Sequence, residues 1–277
     1  MKAVIMLVLI YSKICNCLYH QQRVYETSYN EIKPQRIENY PWIVIVSKIS
    51  TQEILSFGSL IHASAVLTHA SLDAHSLYFD FKVLGKCFFH HNDLTSMSSY
   101  QCAKERNIKE YSIIEVEPQG DNNYWQNAAV LILSEPFTLI PNVNIIPLAR
   151  DPSDFNPHLC NILYLMLLSN SNLPENPTFE FPTQIEHEGN YSTVKINWFH
   201  LQNTYLNYVN SLDLPGNPVV CLTKHSGGHW VLTFLLHTSI KKVNADTLYS
   251  TSAMLDITYY HKAGIIDTII RNAGFSI

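Results

Sequence analysis

Charge is scarce in this chain, and positive charge scarcer still. Of its 277 residues 15% are charged, and 18 Lys and Arg stand against 23 Asp and Glu, a formal net charge of −5. Binding to nucleic acid or to an anionic membrane calls for an excess of cations to neutralise phosphates, so neither is expected as a partner. The low charge fraction also excludes disorder, because 47% of the residues are hydrophobic and can build a core. Past the N-terminus no apolar run is long enough to cross a bilayer; residues 163–168 make only a strand-length stretch. No two cysteines have the CxxC spacing of a zinc site or a redox dithiol. The 13 His are scattered, without an HExxH motif or a fixed acidic partner, so no metal or other cofactor is expected. Internal repeats and low-complexity tracts are missing too.

The N-terminus does carry a signal. Lys2 precedes an apolar run over residues 3–11, then a short segment with Cys15 and Cys17. That order predicts a secretory signal peptide over residues 1–17, too short to span a membrane. Removing it takes away Lys2 and Lys13 and no acid, so the net charge moves from −5 to −7. Residues 18–39 then form an N-terminal extension without cysteine. Four cysteines remain: Cys87, Cys102, Cys160 and Cys221. An even number in an oxidising compartment predicts two disulfides, with three connectivities open. Asn190-Tyr191-Ser192 is a glycosylation sequon in a secreted chain, with Asn190 as acceptor.

Short β-branched or alternating segments dominate the rest. They fall at residues 43–46, 65–68, 78–83, 112–116, 129–133, 163–168, 193–198, 219–222 and 230–237, with turn-rich stretches between them. Many short strands with loop punctuation read as an all-β sandwich or barrel. Only residues 262–273 look helical, with Ile265, Ile266, Ile269 and Ile270 on one face. The polar stretch at residues 149–157 holds two prolines and is the best boundary between two halves.

Several motifs, in order, resemble the chymotrypsin/trypsin-like serine protease family, and in particular its inactive secreted homologues from invertebrates. Tyr40-Pro41-Trp42-Ile43-Val44 resembles the strand that opens the family's first barrel. Phe57-Gly58-Ser59-Leu60-Ile61 is similar to the hairpin "CGGSLI". Val66-Leu67-Thr68 begins like "VLTAAHC", and residues 126–133 resemble "NDIALLKL". Leu214-Pro215-Gly216-Asn217-Pro218-Val219-Val220-Cys221 resembles "DSGGPLVC". The resemblance implies two packed six-stranded antiparallel β-barrels with a short C-terminal helix. The trypsin-like domain would run over residues 40–277, with the first barrel at about 40–148 and the second at about 158–277. It also implies a Cys160–Cys221 bridge inside the second barrel, which leaves Cys87 and Cys102 to staple a long loop of the first.

Carried over residue by residue, the resemblance implies no catalysis. The family's reaction needs a Ser nucleophile, a His base and an Asp that orients the His. The base position is Ser71, which takes up no proton near neutral pH. The Asp position is Asn127, whose amide would hold an imidazole in the wrong tautomer. The nucleophile position is Pro215, which has neither a hydroxyl nor the backbone N–H that helps bind the oxyanion. The position that pairs with a freed N-terminus on activation is Leu214, and the floor of the substrate pocket falls on Val209. Arg36-Ile37 looks like a cleavage site but lies too close to Pro41 for such an N-terminus to reach the pocket. Cysteines that brace catalytic loops in the family are replaced by Ser56, Leu72 and Ser211. His225-Ser226-Gly227-Gly228-His229 contains a Ser-Gly-Gly, yet an apolar run follows it, so it reads as a hairpin turn.

The expectation is a catalytically inactive secreted protease homologue. It would bind extracellular proteins, such as active proteases or their substrates, as a cofactor, decoy or scaffold, in immune or reproductive settings. Two alternatives remain. In one, a relocated nucleophile and base are drawn from His69, Ser71, Asp73 and His75. In the other, an unrelated secreted β-barrel binds a small apolar ligand, and the disulfide map separates it from the first reading.

Overall fold

The computed structural model describes residues 34–35, 40–51, 53–70, 80–89, 100–115, 127–141, 143–165, 178–183, 185–188, 191–197, 216–224, 228–236, 249–256, 258 and 264–277. The chain divides into two compact units, residues 1–32 and 33–277, and every described residue lies in the second. The predicted signal peptide and most of the extension therefore fall outside the described residues, as does Arg36-Ile37.

Seven strands lead the described chain: β1 (Pro34–Gln35), β2 (Ile43–Lys48), β3 (Ile54–His62), β4 (Ala65–His69), β5 (Phe81–Phe89), β6 (Tyr100–Glu115) and β7 (Asn127–Leu133). Six of them close into a barrel in the order β2-β3-β4-β7-β6-β5. Closure leaves no open edge, so each strand can find both its neighbours. Side chains alternate between two cores, as the period of a strand requires. Val44 and Val46 join one with Leu60, Val66 and Leu131. Ile43 and Ile45 join the other with Phe57, Leu67 and Val130. Burial on both faces explains why β2 and β7 read as nearly unbroken apolar runs rather than alternating ones.

The second half holds β8 (Phe155–Leu165), β9 (Thr178–Thr183), β10 (Ile185–Glu188), β11 (Tyr191–Asn197), β12 (Pro218–Thr223), β13 (Trp230–Leu236) and β14 (Tyr249–Asp256), then helix α1 (Ile265–Asn272). Here the count differs from the six strands expected. The order is β1-β9-β8-β12-β13-β14-β11-β10, eight strands, all antiparallel. The two-residue β1, donated by the segment ahead of the first barrel, extends one side. Register shifts in β12, next to Val220 and again before Thr223, bend the sheet. The sheet curls until β11 touches β9 and β10 touches β8. Its ends thus meet through contact, without a ladder of hydrogen bonds between them among the described residues.

The shared core joins the two halves. Leu163, Val220, Leu232 and Leu235 pack with the Ile43 side of the first barrel, and Ile266 and Ile270 of α1 complete the cluster. The isoleucine face read from the sequence is therefore the buried one, with Ile265 and Ile269 partly buried beside it. The segment between the halves is fastened to β13: Ala149 N–H donates to Leu232 O (2.9 Å) and Leu232 N–H to Pro147 O (2.9 Å).

Two strands outrun the barrel. β2 pairs with β5 only over Phe81–Gly85, and β7 pairs with β6 only over Ile108–Glu115. Yet β5 and β6 stay paired out to Phe89 opposite Tyr100. Their far ends form a two-stranded ribbon, and Lys82 Nζ grips Glu105 Oε2 across its base at 2.9 Å.

Within the barrel wall, the Tyr111 hydroxyl is buried with no hydrogen-bond partner among the described residues. Burial pushes this phenol up from 10.0 to about 12. An unpaired buried hydroxyl costs about 1 kcal/mol or more, so Tyr111→Phe should raise stability by about 1 kcal/mol. The pH dependence has a definite sign. The raised value keeps the folded state protonated while the unfolded state ionises, so the wild type loses stability as pH climbs from 10 to 12. Denaturant unfolding of both proteins at neutral and alkaline pH checks this: the gap should widen above pH 10.

Candidate functional site

Three segments converge on the end of β4. The strand runs from Ala65 to His69, and Ser71 follows two residues later, outside the described residues. β7 runs antiparallel beside it, with His69 opposite Ala128 and Thr68 opposite Ala129. Asn127, the first residue of β7, therefore sits just past His69 at the same end of the barrel; its side chain is outside the described set.

The third segment arrives from the other half. Pro215 lies outside the described residues, but Gly216 and Asn217, which follow it, are buried as they lead into β12. Gly216 has φ 91°, a left-handed conformation that favours glycine. It also lies hard against the first barrel. A β-carbon there would stand 2.2 Å from the carbonyl oxygen of Phe57 and 3.3 Å from Thr68 Oγ1. Thr68 Oγ1 donates to that same carbonyl at 2.6 Å and lies 3.0 Å from Ser56 Oγ. Thr68 thus ties β4 to β3 at the spot where the loop of the second half docks. The glycine-dependent approach and its hydroxyl pair escaped the sequence reading; the one visible signal was Gly216 itself, within the motif at residues 214–221.

The groups at this junction offer little chemistry. His69 is 4% exposed and shares its strand face with Ala65 and Leu67. An imidazole enclosed in this way does not face solvent as a general base for an incoming substrate. Asp73 and His75, the other members of the relocated set, lie outside the described residues, as do Ser71, Leu214 and Val209. Among the described residues no cluster of His, Cys, Asp and Glu could hold a metal ion.

The strands on either side of the Ser-Gly-Gly segment pair with each other. Leu222 of β12 pairs with Trp230 of β13, Thr223 N–H donates to His229 O at 3.0 Å, and His229 N–H returns to Thr223 Oγ1 at 3.1 Å. Ser226 and Gly227 themselves are outside the described residues. Cys160 and Cys221, opposite each other in the β8–β12 register, are joined by a disulfide. Cys87 and Cys102 are opposite each other in the β5–β6 register, with side chains outside the described set. Asn190 also lies outside it.

No protein-family model matches this sequence, and no curated protein matches it. Solved structures do. The human heparin binding protein aligns with a TM-score of 0.57 at 16% identity, covering 89% of this chain and 98% of that one. A doubly substituted variant of the same human protein aligns with a TM-score of 0.58 at 17% identity, with 89% and 98% covered. The fold is trypsin-like.

Proposed function

We propose that the chain is a secreted, catalytically inactive homologue of the trypsin-like serine proteases that acts by binding other extracellular proteins. One observation carries the reading. The backbone brings the neighbours of Ser71, Asn127 and Pro215 to a single junction, and none of the three supplies what its position would need: Ser71 is no base, Asn127 no carboxylate and Pro215 no nucleophile. Substitution at one of them would leave a crippled enzyme; substitution at all three leaves no proton acceptor, no attacking group and one oxyanion donor fewer. A scaffold of this kind still presents loops around a cleft, and binding needs no chemistry there. The Cys160–Cys221 bond and the absence of a membrane-crossing helix among the described residues suit a secreted chain. The name of the structural neighbour ties it to heparin, a polyanion. That ligand is not carried over, because acids outnumber bases here by 23 to 18.

Labelling with a fluorophosphonate, before and after treatment with trypsin, tests the reading. No serine should react in either state. A labelled serine, at Ser71, Ser226 or elsewhere, would replace this function with that of a hydrolase whose nucleophile has moved.

A further inference from the structure

The ribbon beyond the first barrel carries a site of its own. Among the described residues its strands pair there only with each other. At its centre Cys87 stands directly opposite Cys102. Directly opposed residues in an antiparallel pair have Cα atoms about 4.5 or 5.5 Å apart, within the span that a disulfide bridges. The same chain supplies an internal comparison. Cys160 and Cys221 are opposed in the same way across β8 and β12, and they are bonded.

We infer that Cys87 and Cys102 form a second disulfide that closes residues 88–101 into a covalent loop at the end of the ribbon. The two thiols give up two protons and two electrons to an incoming disulfide, by exchange through a mixed disulfide. That reagent, of the class that also oxidises Cys160 and Cys221, leaves as two thiols. The bond ties β5 to β6 covalently where neither has a second neighbour among the described residues. The loop it closes carries His90, His91, Asn92 and Asp93. This inference does not depend on whether the chain binds proteins or cleaves them.

Peptide mapping of the secreted protein, denatured and alkylated without reductant, tests it. Trypsin cuts after Lys86 and Lys104, so both cysteines fall on one peptide, residues 87–104. That peptide should carry no alkyl group, lack two hydrogens, and take up two alkyl groups only after reduction. Recovery of the peptide alkylated at both cysteines, or linked to any other cysteine, overturns the inference. A second measurement reads the closed loop itself. A protease nick within residues 88–101 should leave the two fragments joined on a non-reducing gel. In the Cys87→Ser/Cys102→Ser double variant the same nick should release them. Release from the wild type without reductant overturns the inference as well.

Discussion

Replacing Gly216 with alanine should destabilise the chain by about 4 kcal/mol, which is a large share of the stability of an ordinary domain. Two separate costs add. The backbone at φ 91° is one that an L side chain enters only at about 1–3 kcal/mol. The new β-carbon would also meet the Phe57 carbonyl oxygen at 2.2 Å, and that oxygen belongs to a strand held on both sides within a closed barrel. Backbone of that kind does not yield as the far end of a flexible side chain does, and overpacking of a tight site costs about 1–3 kcal/mol more. Gly264→Ala is the control. It too has positive φ, 67°, but nothing lies within 4 Å of its added carbon, so only the conformational part should appear, about 1 kcal/mol. Denaturant midpoints of the three proteins decide the matter. Equal losses for Gly216→Ala and Gly264→Ala would show that the loop before β12 is not clamped onto β3.

That clamp marks the limit of what the sequence reveals. Periodic signals near the core were legible: the isoleucines of α1 and the apolar runs of β2 and β7. These are positions where burial dictates residue type, so residue type reports burial. β6 was not legible over most of its length. The sequence suggests a strand at residues 112–116, whereas β6 begins at Tyr100. The added part contains Lys104, Glu105, Arg106, Lys109 and Glu110, and Lys104, Glu105, Lys109 and Glu110 are exposed. Among residues 104–110 only Ile108 is buried, so little apolar alternation is imposed there and little in the residue pattern announces a strand. β5 also has other bounds than the sequence suggests, read at residues 78–83 and found at Phe81–Phe89. The eight-strand order of the second half was hidden for another reason. β1 is two residues long, and its pairing with β9 is a tertiary event that leaves no local signature. At the junction, the close approach of Gly216 to Phe57 and Thr68 depends on two segments about 150 residues apart in sequence, which periodicity cannot relate.

The second large effect should come from the Cys160→Ala/Cys221→Ala double variant, which is expected to lose about 4 kcal/mol. The bond spans a sequence separation of 61, and cross-linking a loop of that length removes about that much conformational freedom from the unfolded chain. Folded-state terms are smaller. Both residues are buried, at 2% and 0% exposure, and alanine keeps their β-carbons in the shared sheet, where β12 remains paired with β8 and β13. The variant should therefore fold to the same structure, with a lower denaturant midpoint. Its unfolding slope changes if the freed chain becomes less compact. The Cys87→Ser/Cys102→Ser variant closes a shorter loop and should lose less, about 3 kcal/mol by the same reasoning. Equilibrium unfolding of both double variants, without reductant, ranks them. The reverse order would mean that the ribbon, and not the sheet of the second half, is the part of the molecule that most needs a covalent tie. The expected order follows from the longer covalent loop, which runs through the sheet of the second half.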